Sequence, residues 1–118
     1  MRWVQATAET INSAVIAYVE LRAAAGAGLR TGRIPSDGRP ELIASLEDLW
    51  EGVSPVPLTN ELLRRAGDLA EEMRLRASDA VHLAALLASG AAGDVSFACW
   101  DIDLRRAASS LGYTLFPD

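Results

Sequence analysis

The spacing of apolar and polar residues in the first half of the chain predicts alternating short strands and helices. In order, these elements are a strand at residues 10–13, a helix at 14–29, a loop at 31–40, a helix at 40–51 and a strand at 53–58. Ser13 is a favourable N-cap for the first helix, and Pro40 suits the first turn of the second. Gly52 ends the second helix, and the two prolines of the following segment favour an edge strand.

The second half continues this alternation with more helix. Its elements are a helix at residues 60–73, a helix at 78–88, a strand at 94–100, a helix at 101–110 and a strand at 113–116. Thr59 and Ser78 are the expected N-caps of the first two helices. Strands separated by helices predict an α/β fold with a mostly parallel sheet flanked by helices. We expect a single domain over residues 1–118, without internal repeats.

Composition limits the partners that the chain can bind by charge alone. Hydrophobic residues make up 50% of the 118 positions, which suffices for one core. The 11 basic and 16 acidic residues give a net charge of −5, so any nucleic-acid contact must be local or bridged by a cation. All basic residues are arginines. Together with abundant alanine, this indicates GC-rich codon usage more simply than phosphate binding.

The cysteine content and the apolar runs bear on the compartment. Cys99, the single cysteine, lies in an apolar run and is expected in the core rather than as a reactive thiol. A lone cysteine suits a reducing cytoplasm. No apolar stretch approaches the ~20 residues of a membrane span, and residues 1–9 lack the apolar region of a signal peptide. We therefore expect a cytoplasmic protein without membrane association.

Four acidic residues are candidates for chemistry, because ligands collect beyond the carboxyl ends of parallel strands. Asp101 directly follows the predicted strand 94–100, and Asp103 lies two residues further on. Asp79 lies in the first turn of its predicted helix, and Glu20 about two turns into the helix after the first strand. Converging carboxylates repel one another unless a divalent cation neutralises them. Mg²⁺ and Mn²⁺ prefer such oxygen ligands and can activate water.

Each of these acids also has a purely structural explanation. Asp79 complements the positive end of a helix dipole, Asp101 is a common N-cap residue, and Asp103 is favourable in a first turn. Glu20 interrupts an apolar helix face, so we expect it to be partly buried and to need a partner. A salt bridge to Arg22 or a solvated edge would supply one. Position alone leaves both explanations open.

Other polar and aromatic residues have weaker functional interpretations. His82, three residues after Asp79, could bind metal or relay protons, but its apolar neighbours favour a packed histidine. The arginine pairs at 64–65 and 105–106 could contact phosphates, although solvated helix faces explain them more simply. Stacking on bases is conceivable for the tryptophans, but core or interface packing is expected for Trp3, Trp50 and Trp100. The chain lacks zinc-site spacing, a phosphate-binding glycine loop and a Gly-x-Ser-x-Gly turn.

Three segments carry a more specific pattern. Residues 13–22 read SAVIAYVELR, residues 75–84 read LRASDAVHLA, and residues 95–104 read VSFACWDIDL. The middle segment resembles the Asp-Ala-x-His-Leu-Ala helix start of the PIN-domain family, and specifically of its VapC toxin subunits. The outer two resemble the family's strand end with a helix and a glutamate, and its strand followed by an acid and a helix. The order and spacing of the segments agree from about Thr10 to Pro117.

The resemblance implies a PIN-like three-layer fold and an Mg²⁺- or Mn²⁺-dependent endoribonuclease, the toxin of a toxin–antitoxin pair. Glu20, Asp79 and Asp101 match the family's second, third and fourth acids, and Asp103 falls where some members carry another. In the family these residues hold the metal and orient the attacking water, which implies catalytic and metal-binding roles here. The resemblance also implies an RNA substrate, a homodimer and an antitoxin partner that blocks the site.

The chain departs from the family at its start. Family members begin with an apolar strand ending in Asp-x-Ser, which supplies the first acid, whereas Met1 to Glu9 looks like the end of the helix after that strand. We expect either an upstream start or a shortened form with an open sheet edge, weakened metal binding and impaired catalysis.

Two alternatives to a nuclease stay open. One is a catalytically inactive PIN-fold interaction module that binds an antitoxin or itself. The other is an α/β domain whose acids are all helix caps. Convergence of Glu20, Asp79 and Asp101 would favour the nuclease. An arginine partner for Glu20 and an open cluster would favour the interaction module.

Overall fold

The computed structural model of the protein describes residues 10–117. In this part of the chain, strands and helices alternate in the order β1 (Ile11–Ala14), α1 (Ala17–Arg30), a 3-10 helix (Ser36–Gly38), α2 (Arg39–Glu51), β2 (Val53–Val56), α3 (Asn60–Met73), α4 (Ala77–Ser89), β3 (Ser96–Ala98), α5 (Ile102–Ser110) and β4 (Thr114–Phe116). The predicted order of elements and the α/β class are confirmed over this range. The interpretation of Met1 to Glu9 as the end of a helix lies outside the described residues.

The strands of the described range form two-stranded sheets, one of β1 with β2 and one of β3 with β4. β3 and β4 run parallel, with Phe97 opposite Leu115. The chain passes through α5 between them, as parallel strands require a crossover connection. β3 is shorter than the predicted strand 94–100, because the backbone N–H groups of Asp94 and Val95 both donate to the Ala91 carbonyl in a turn, at 2.9 and 3.2 Å.

The described chain divides into two compact units. The first comprises residues 10–11 and Val15–Pro55, and the second comprises Asn12–Ala14 and residues 56–117. The expected single domain over the whole chain stays a prediction. Within residues 10–117, no helix is both long enough and apolar enough to cross a membrane.

In the first unit, aromatic and polar contacts join α1 to α2. The rings of Tyr18 and Trp50 lie 5.6 Å apart between centroids, so the packing expected for this tryptophan is confirmed. Arg22 donates from Nη1 to the Tyr18 hydroxyl at 2.8 Å and pairs with Glu47 at 3.8 Å. The Tyr18 hydroxyl in turn donates to Glu47. One side chain of α1 is thereby fixed through both its ring and its hydroxyl.

The second unit is built on the contact between α3 and α4. On α3, Leu62, Ala66 and Leu69 recur at i, i+4 and i+7, which places them on one face, and all three are buried. On α4, Leu83 is fully buried. Alanines form much of this core and allow close helix approach; they include Ala80, Ala84 and Ala85 of α4 and Ala107 and Ala108 of α5.

Several predicted helix ends are confirmed. Thr59 accepts a hydrogen bond through Oγ1 from the backbone N–H of Leu62 at 3.1 Å, as expected of the N-cap of α3. Pro40 lies in the first turn of α2, and Gly52 is the C-cap residue of that helix. These signals are local in the sequence, which is why sequence alone suffices for them.

Two expected N-caps are wrong. Ser13 belongs to β1, which continues to the buried Ala14, so the N-cap position of α1 falls later, at Ile16. Ser78 lies inside the first turn of α4, whose N-cap position is Arg76. Neither Ile16 nor Arg76 provides a capping side-chain hydrogen bond. The side chain of Arg76 instead contacts the carboxylates of Asp79 and Asp101.

Candidate functional site

Asp79 lies in the first turn of α4, and it is the buried charged residue of the described core, with 8% of its surface exposed. Its position suits the positive end of the helix dipole, as its structural explanation predicted. A buried carboxylate also needs a partner. Arg76 supplies one, because its Nε donates to Asp79 Oδ2 at 3.2 Å. The three-residue spacing in the sequence brings these two groups together.

Asp101 follows β3 and is the N-cap of α5. Its Oδ1 accepts from the backbone N–H of Leu104 at 3.0 Å, so the structural explanation as a cap is confirmed. The other carboxylate oxygen is not used for capping. Asp101 Oδ2 accepts from Nη2 of Arg76 at 3.1 Å. One carboxylate oxygen of Asp101 therefore caps α5, and the other accepts from the guanidinium of Arg76, at the start of α4.

Arg76 therefore bridges two carboxylates that lie 22 positions apart in the sequence. It uses a separate nitrogen for each acid, in the forked geometry that guanidinium groups favour. The side chain of Asp79 is 11% exposed and that of Asp101 is 35% exposed, while that of Arg76 is 76% exposed. The acids are thus held in the protein, and the cation that joins them lies on the solvent side.

This arrangement suits a divalent cation in its chemistry. Two hard carboxylate oxygens, Oδ2 of Asp79 and Oδ2 of Asp101, already share one positive group. Mg²⁺ and Mn²⁺ bind through such oxygens and retain several waters. Within residues 10–117, no three His, Cys, Asp or Glu side chains lie close enough to hold a metal on their own. Asp79 and Asp101 therefore form a carboxylate pair rather than a complete cage.

Asp103 lies in the first turn of α5 and is exposed. Together with Arg74 and Arg106 it lines a cavity of about 470 Å³ at the side of the second unit. Its position in the first turn matches the structural explanation given from the sequence. A metal-binding role for Asp103 stays a prediction.

Glu20 belongs to the first unit, where it lies in the first turn of α1 and is exposed. The expected partial burial of Glu20 is wrong, as is its placement two turns into the helix. The neighbouring Val19 is 66% exposed, so the apolar face of α1 does not extend around this position. Arg22, considered as a partner, pairs with Glu47. The catalytic and metal-binding role of Glu20 stays a prediction.

Arg105 corrects a second expectation, because it does not lie on a solvated helix face. It is half-buried and donates to three backbone carbonyls, through Nη1 to Cys99 at 2.7 Å and Phe116 at 3.1 Å, and through Nη2 to Pro117 at 2.6 Å. It thereby joins the residue after β3 to the last residue of β4 and the residue that follows it. The neighbouring Arg106 is exposed, as predicted.

The remaining sequence candidates have separate outcomes. Cys99 is buried, and burial raises the pKa of its thiol, so the expected core role is confirmed. His82 is half-buried on α4, as expected of a packed histidine. Trp100 is 65% exposed, so core packing is wrong for this residue. Trp3 lies outside the described residues.

Sequence reasoning missed Arg76 and the exposure of Trp100. Arg76 lies inside the segment LRASDAVHLA, three positions before Asp79. That spacing is a signal for a local ion pair, which was available from the sequence. Its second contact, with Asp101, depends on how α4 and β3 pack, and no local pattern shows it.

Comparison with known proteins places these residues in a family. Over 105 residues, the chain is 38% identical to Ribonuclease VapC45 of Mycobacterium tuberculosis strain CDC 1551 / Oshkosh. It is equally similar to Ribonuclease VapC49 of Mycobacterium tuberculosis strain ATCC 25618 / H37Rv. Each alignment covers 89% of this chain and 72% of the relative. The chain belongs to the VapC family.

Membership in the VapC family confirms the resemblance drawn from the three sequence segments. It also agrees with the α/β order of elements and with the parallel strands β3 and β4. No protein-family model matches the chain. No solved structure matches it either.

Proposed function

We propose that this chain is a metal-dependent endoribonuclease and the toxin component of a toxin–antitoxin system. Two observations support the proposal. The VapC relatives are named ribonucleases, and they align with 89% of the chain. In the second unit, Asp79 and Asp101 form a carboxylate pair around one positive group. The carboxylate pair carries the proposal, because hard carboxylate oxygens are the ligands that Mg²⁺ and Mn²⁺ prefer.

Asp79 and Asp101 are the proposed core of the metal site, and the VapC resemblance implies metal-binding roles for Glu20 and Asp103 as well. A bound Mg²⁺ or Mn²⁺ would supply a Lewis acid and lower the pKa of a coordinated water. The protein's own part is to hold the carboxylates in place. The Leu104 N–H fixes one oxygen of Asp101 at 3.0 Å, and Asp79 is held in the first turn of α4.

The RNA contact proposed here is local, in keeping with the net charge of −5. Trp100 and Ile102 flank Asp101 in the sequence and are 65% and 70% exposed. An exposed indole beside an acid that holds metal can stack on a base whose phosphate lies at that metal. A divalent cation would offset the repulsion between the acidic chain and the RNA.

The partners and the location are part of the same proposal. An antitoxin that blocks the site, a homodimer and a cytoplasmic location are all properties that the VapC resemblance implies. The exposed pair Trp100 and Ile102 supplies apolar surface for a protein contact beside Asp101. An antitoxin seated there would cover the carboxylate pair and stop cleavage.

The proposed function is tested by RNA cleavage with the purified chain in Mg²⁺ or Mn²⁺, using total cellular RNA and mapping of the cleaved ends. Asp79→Asn removes one charge at nearly constant shape, and we expect it to abolish cleavage. Asp68→Asn is the matched control, because Asp68 is an exposed acid on α3 of the same unit. Cleavage that is equal in all three proteins, or that survives removal of divalent cations by a chelator, would contradict the proposal.

A second candidate, an interaction module without catalysis, is supported by the same exposed pair. Trp100 and Ile102 are large apolar residues on the surface, and such residues commonly mark protein contacts. This candidate predicts that the chain binds an antitoxin or itself while RNA stays intact under all metal conditions. Trp100→Ala would then weaken the protein contact, whereas Asp79→Asn would leave it unchanged.

A further inference from the structure

The carboxylate pair of the second unit already has a cation of its own. The guanidinium of Arg76 reaches Oδ2 of Asp79 at 3.2 Å and Oδ2 of Asp101 at 3.1 Å. For Asp101 this is the oxygen that capping leaves available, since its Oδ1 accepts from the Leu104 N–H. A metal ion that binds both carboxylates through these oxygens would need the same lone pairs that now accept hydrogen bonds from the guanidinium.

The geometry also indicates which side chain would move away when a metal ion binds. Asp79 is 11% exposed in its side chain and lies within α4, so it has little freedom to move. Asp101 is fixed as the N-cap of α5. Arg76 precedes α4 in extended backbone, with φ −68 and ψ 160, and its side chain is 76% exposed. The guanidinium can therefore rotate into water at little cost in hydration, whereas the carboxylates stay.

We propose that Arg76 is an internal counter-ion of the carboxylate pair, which competes with a divalent cation for Asp79 and Asp101 and is displaced when that cation binds. This inference rests on the proposed metal site. Without metal, the guanidinium offsets the repulsion between two nearby carboxylates. With metal, the divalent charge takes over that role. Arg76 thus lowers the affinity for metal and adds to the stability of the unloaded protein.

Calorimetric titration with Mn²⁺ tests the competition directly. In Arg76→Gln the competing cation is gone, and we expect Mn²⁺ to bind about tenfold tighter than to the unmodified chain. Arg65→Gln is the matched control, since it removes the same charge from an exposed position on α3. Its Mn²⁺ affinity should stay within about twofold of the unmodified chain, because exposed charges at a distance are screened.

Thermal unfolding gives a second measurement that does not depend on activity. Without metal, Arg76→Gln should unfold at a lower temperature than the unmodified chain, because the two carboxylates then repel each other. Mn²⁺ should raise its unfolding temperature by more than it raises that of the unmodified chain. Arg76→Lys keeps a positive charge without the fork, so we expect an intermediate result, and it replaces Arg76→Gln if that variant fails to fold.

The inference and the proposed function can fail separately. Mn²⁺ affinities of Arg76→Gln and Arg76→Lys no higher than that of Arg65→Gln, including no binding by any variant, would overturn the inference. If RNA cleavage by the unmodified chain persisted in that case, the proposed function would stand. Tighter Mn²⁺ binding by Arg76→Gln without any RNA cleavage would support the inference and contradict the nuclease.

Discussion

Asp101 accepts a hydrogen bond from the backbone N–H of Leu104 at 3.0 Å, so one proposed metal ligand also starts a helix. The two roles use different oxygens of the same carboxylate. The structural and the chemical explanations of this residue are therefore compatible, and substitutions can separate them.

We expect Asp101→Asn to keep the cap of α5 and lose the charge. Asparagine caps helices about as well as aspartate, whereas alanine lacks the acceptor and costs about 1 kcal/mol. RNA cleavage should be lost in both Asp101→Asn and Asp101→Ala. In chemical denaturation, Asp101→Ala should be less stable than Asp101→Asn by about 1 kcal/mol. Equal stability of the two variants would show that the cap contributes nothing.

Glu20 allows a test of chemistry without a change in the core, because it is exposed on α1. If Glu20 is a metal ligand, Glu20→Gln should reduce RNA cleavage by at least about 100-fold, which is about 2.7 kcal/mol in the barrier. Stability should change by no more than about 0.5 kcal/mol. Glu41→Gln is the control, since Glu41 is an exposed first-turn acid of α2 in the same unit. Equal activity of these two variants would remove Glu20 from the proposed site.

Arg105 and Arg106 are adjacent but have different surroundings. Arg105 donates to the carbonyls of Cys99, Phe116 and Pro117, whereas Arg106 is exposed. We expect Arg105→Ala to lower the free energy of unfolding by about 2 kcal/mol, because three partly buried carbonyls lose a charged donor. Arg106→Ala should lower it by less than about 0.5 kcal/mol. Urea denaturation of both variants measures the difference, and similar values would refute a structural role for Arg105.

Gly90 and Gly93 differ in the space around them. A Cβ on Gly90 would lie 2.7 Å from Cγ2 of Val95, at a backbone φ of +153, while a Cβ on Gly93 would meet nothing within 4 Å. The carbonyl of Gly90 also accepts from the Tyr113 hydroxyl at 2.7 Å. We expect Gly90→Ala to destabilise by about 1–3 kcal/mol through overpacking and backbone strain. Gly93→Ala should be close to neutral. Equal unfolding temperatures of Gly90→Ala and Gly93→Ala would contradict overpacking and strain at Gly90.

Cys99 gives a prediction on pH. Burial raises the pKa of its thiol, so less thiolate is present at a given pH than in an unfolded chain. In a disulfide-exchange reagent at pH 8, Cys99 should react much more slowly in the folded protein than in denaturant. Because the pKa of the thiol is raised in the folded protein, the buried Cys99 contributes stability below the pKa of the unfolded chain, about 8.5. This contribution is lost as the pH rises through the folded pKa. Cys99→Ala should show a weaker loss of stability above pH 8.5.

Local patterns were sufficient for the order of elements and for several of their ends. Thr59, Pro40 and Gly52 act through hydrogen bonds and dihedral angles within a few residues, so the sequence determines them. Ser13 is not an N-cap because it belongs to β1, and Ser78 is not one because α4 begins one residue before it. Glu20 was assigned to a buried face that α1 does not have at that position.

Asp79 and Asp101 could also be proposed from the sequence, because each lies in a short segment that resembles a family motif. What only the tertiary structure decided is that Asp79 and Asp101 share one guanidinium. Arg76 and Asp79 are three residues apart, and a helix start suffices to join them. Asp101 is 25 residues from Arg76, and its approach depends on how α4, β3 and α5 pack. Sequence spacing determines contacts within a turn, whereas contacts between elements are determined by the burial of their apolar faces.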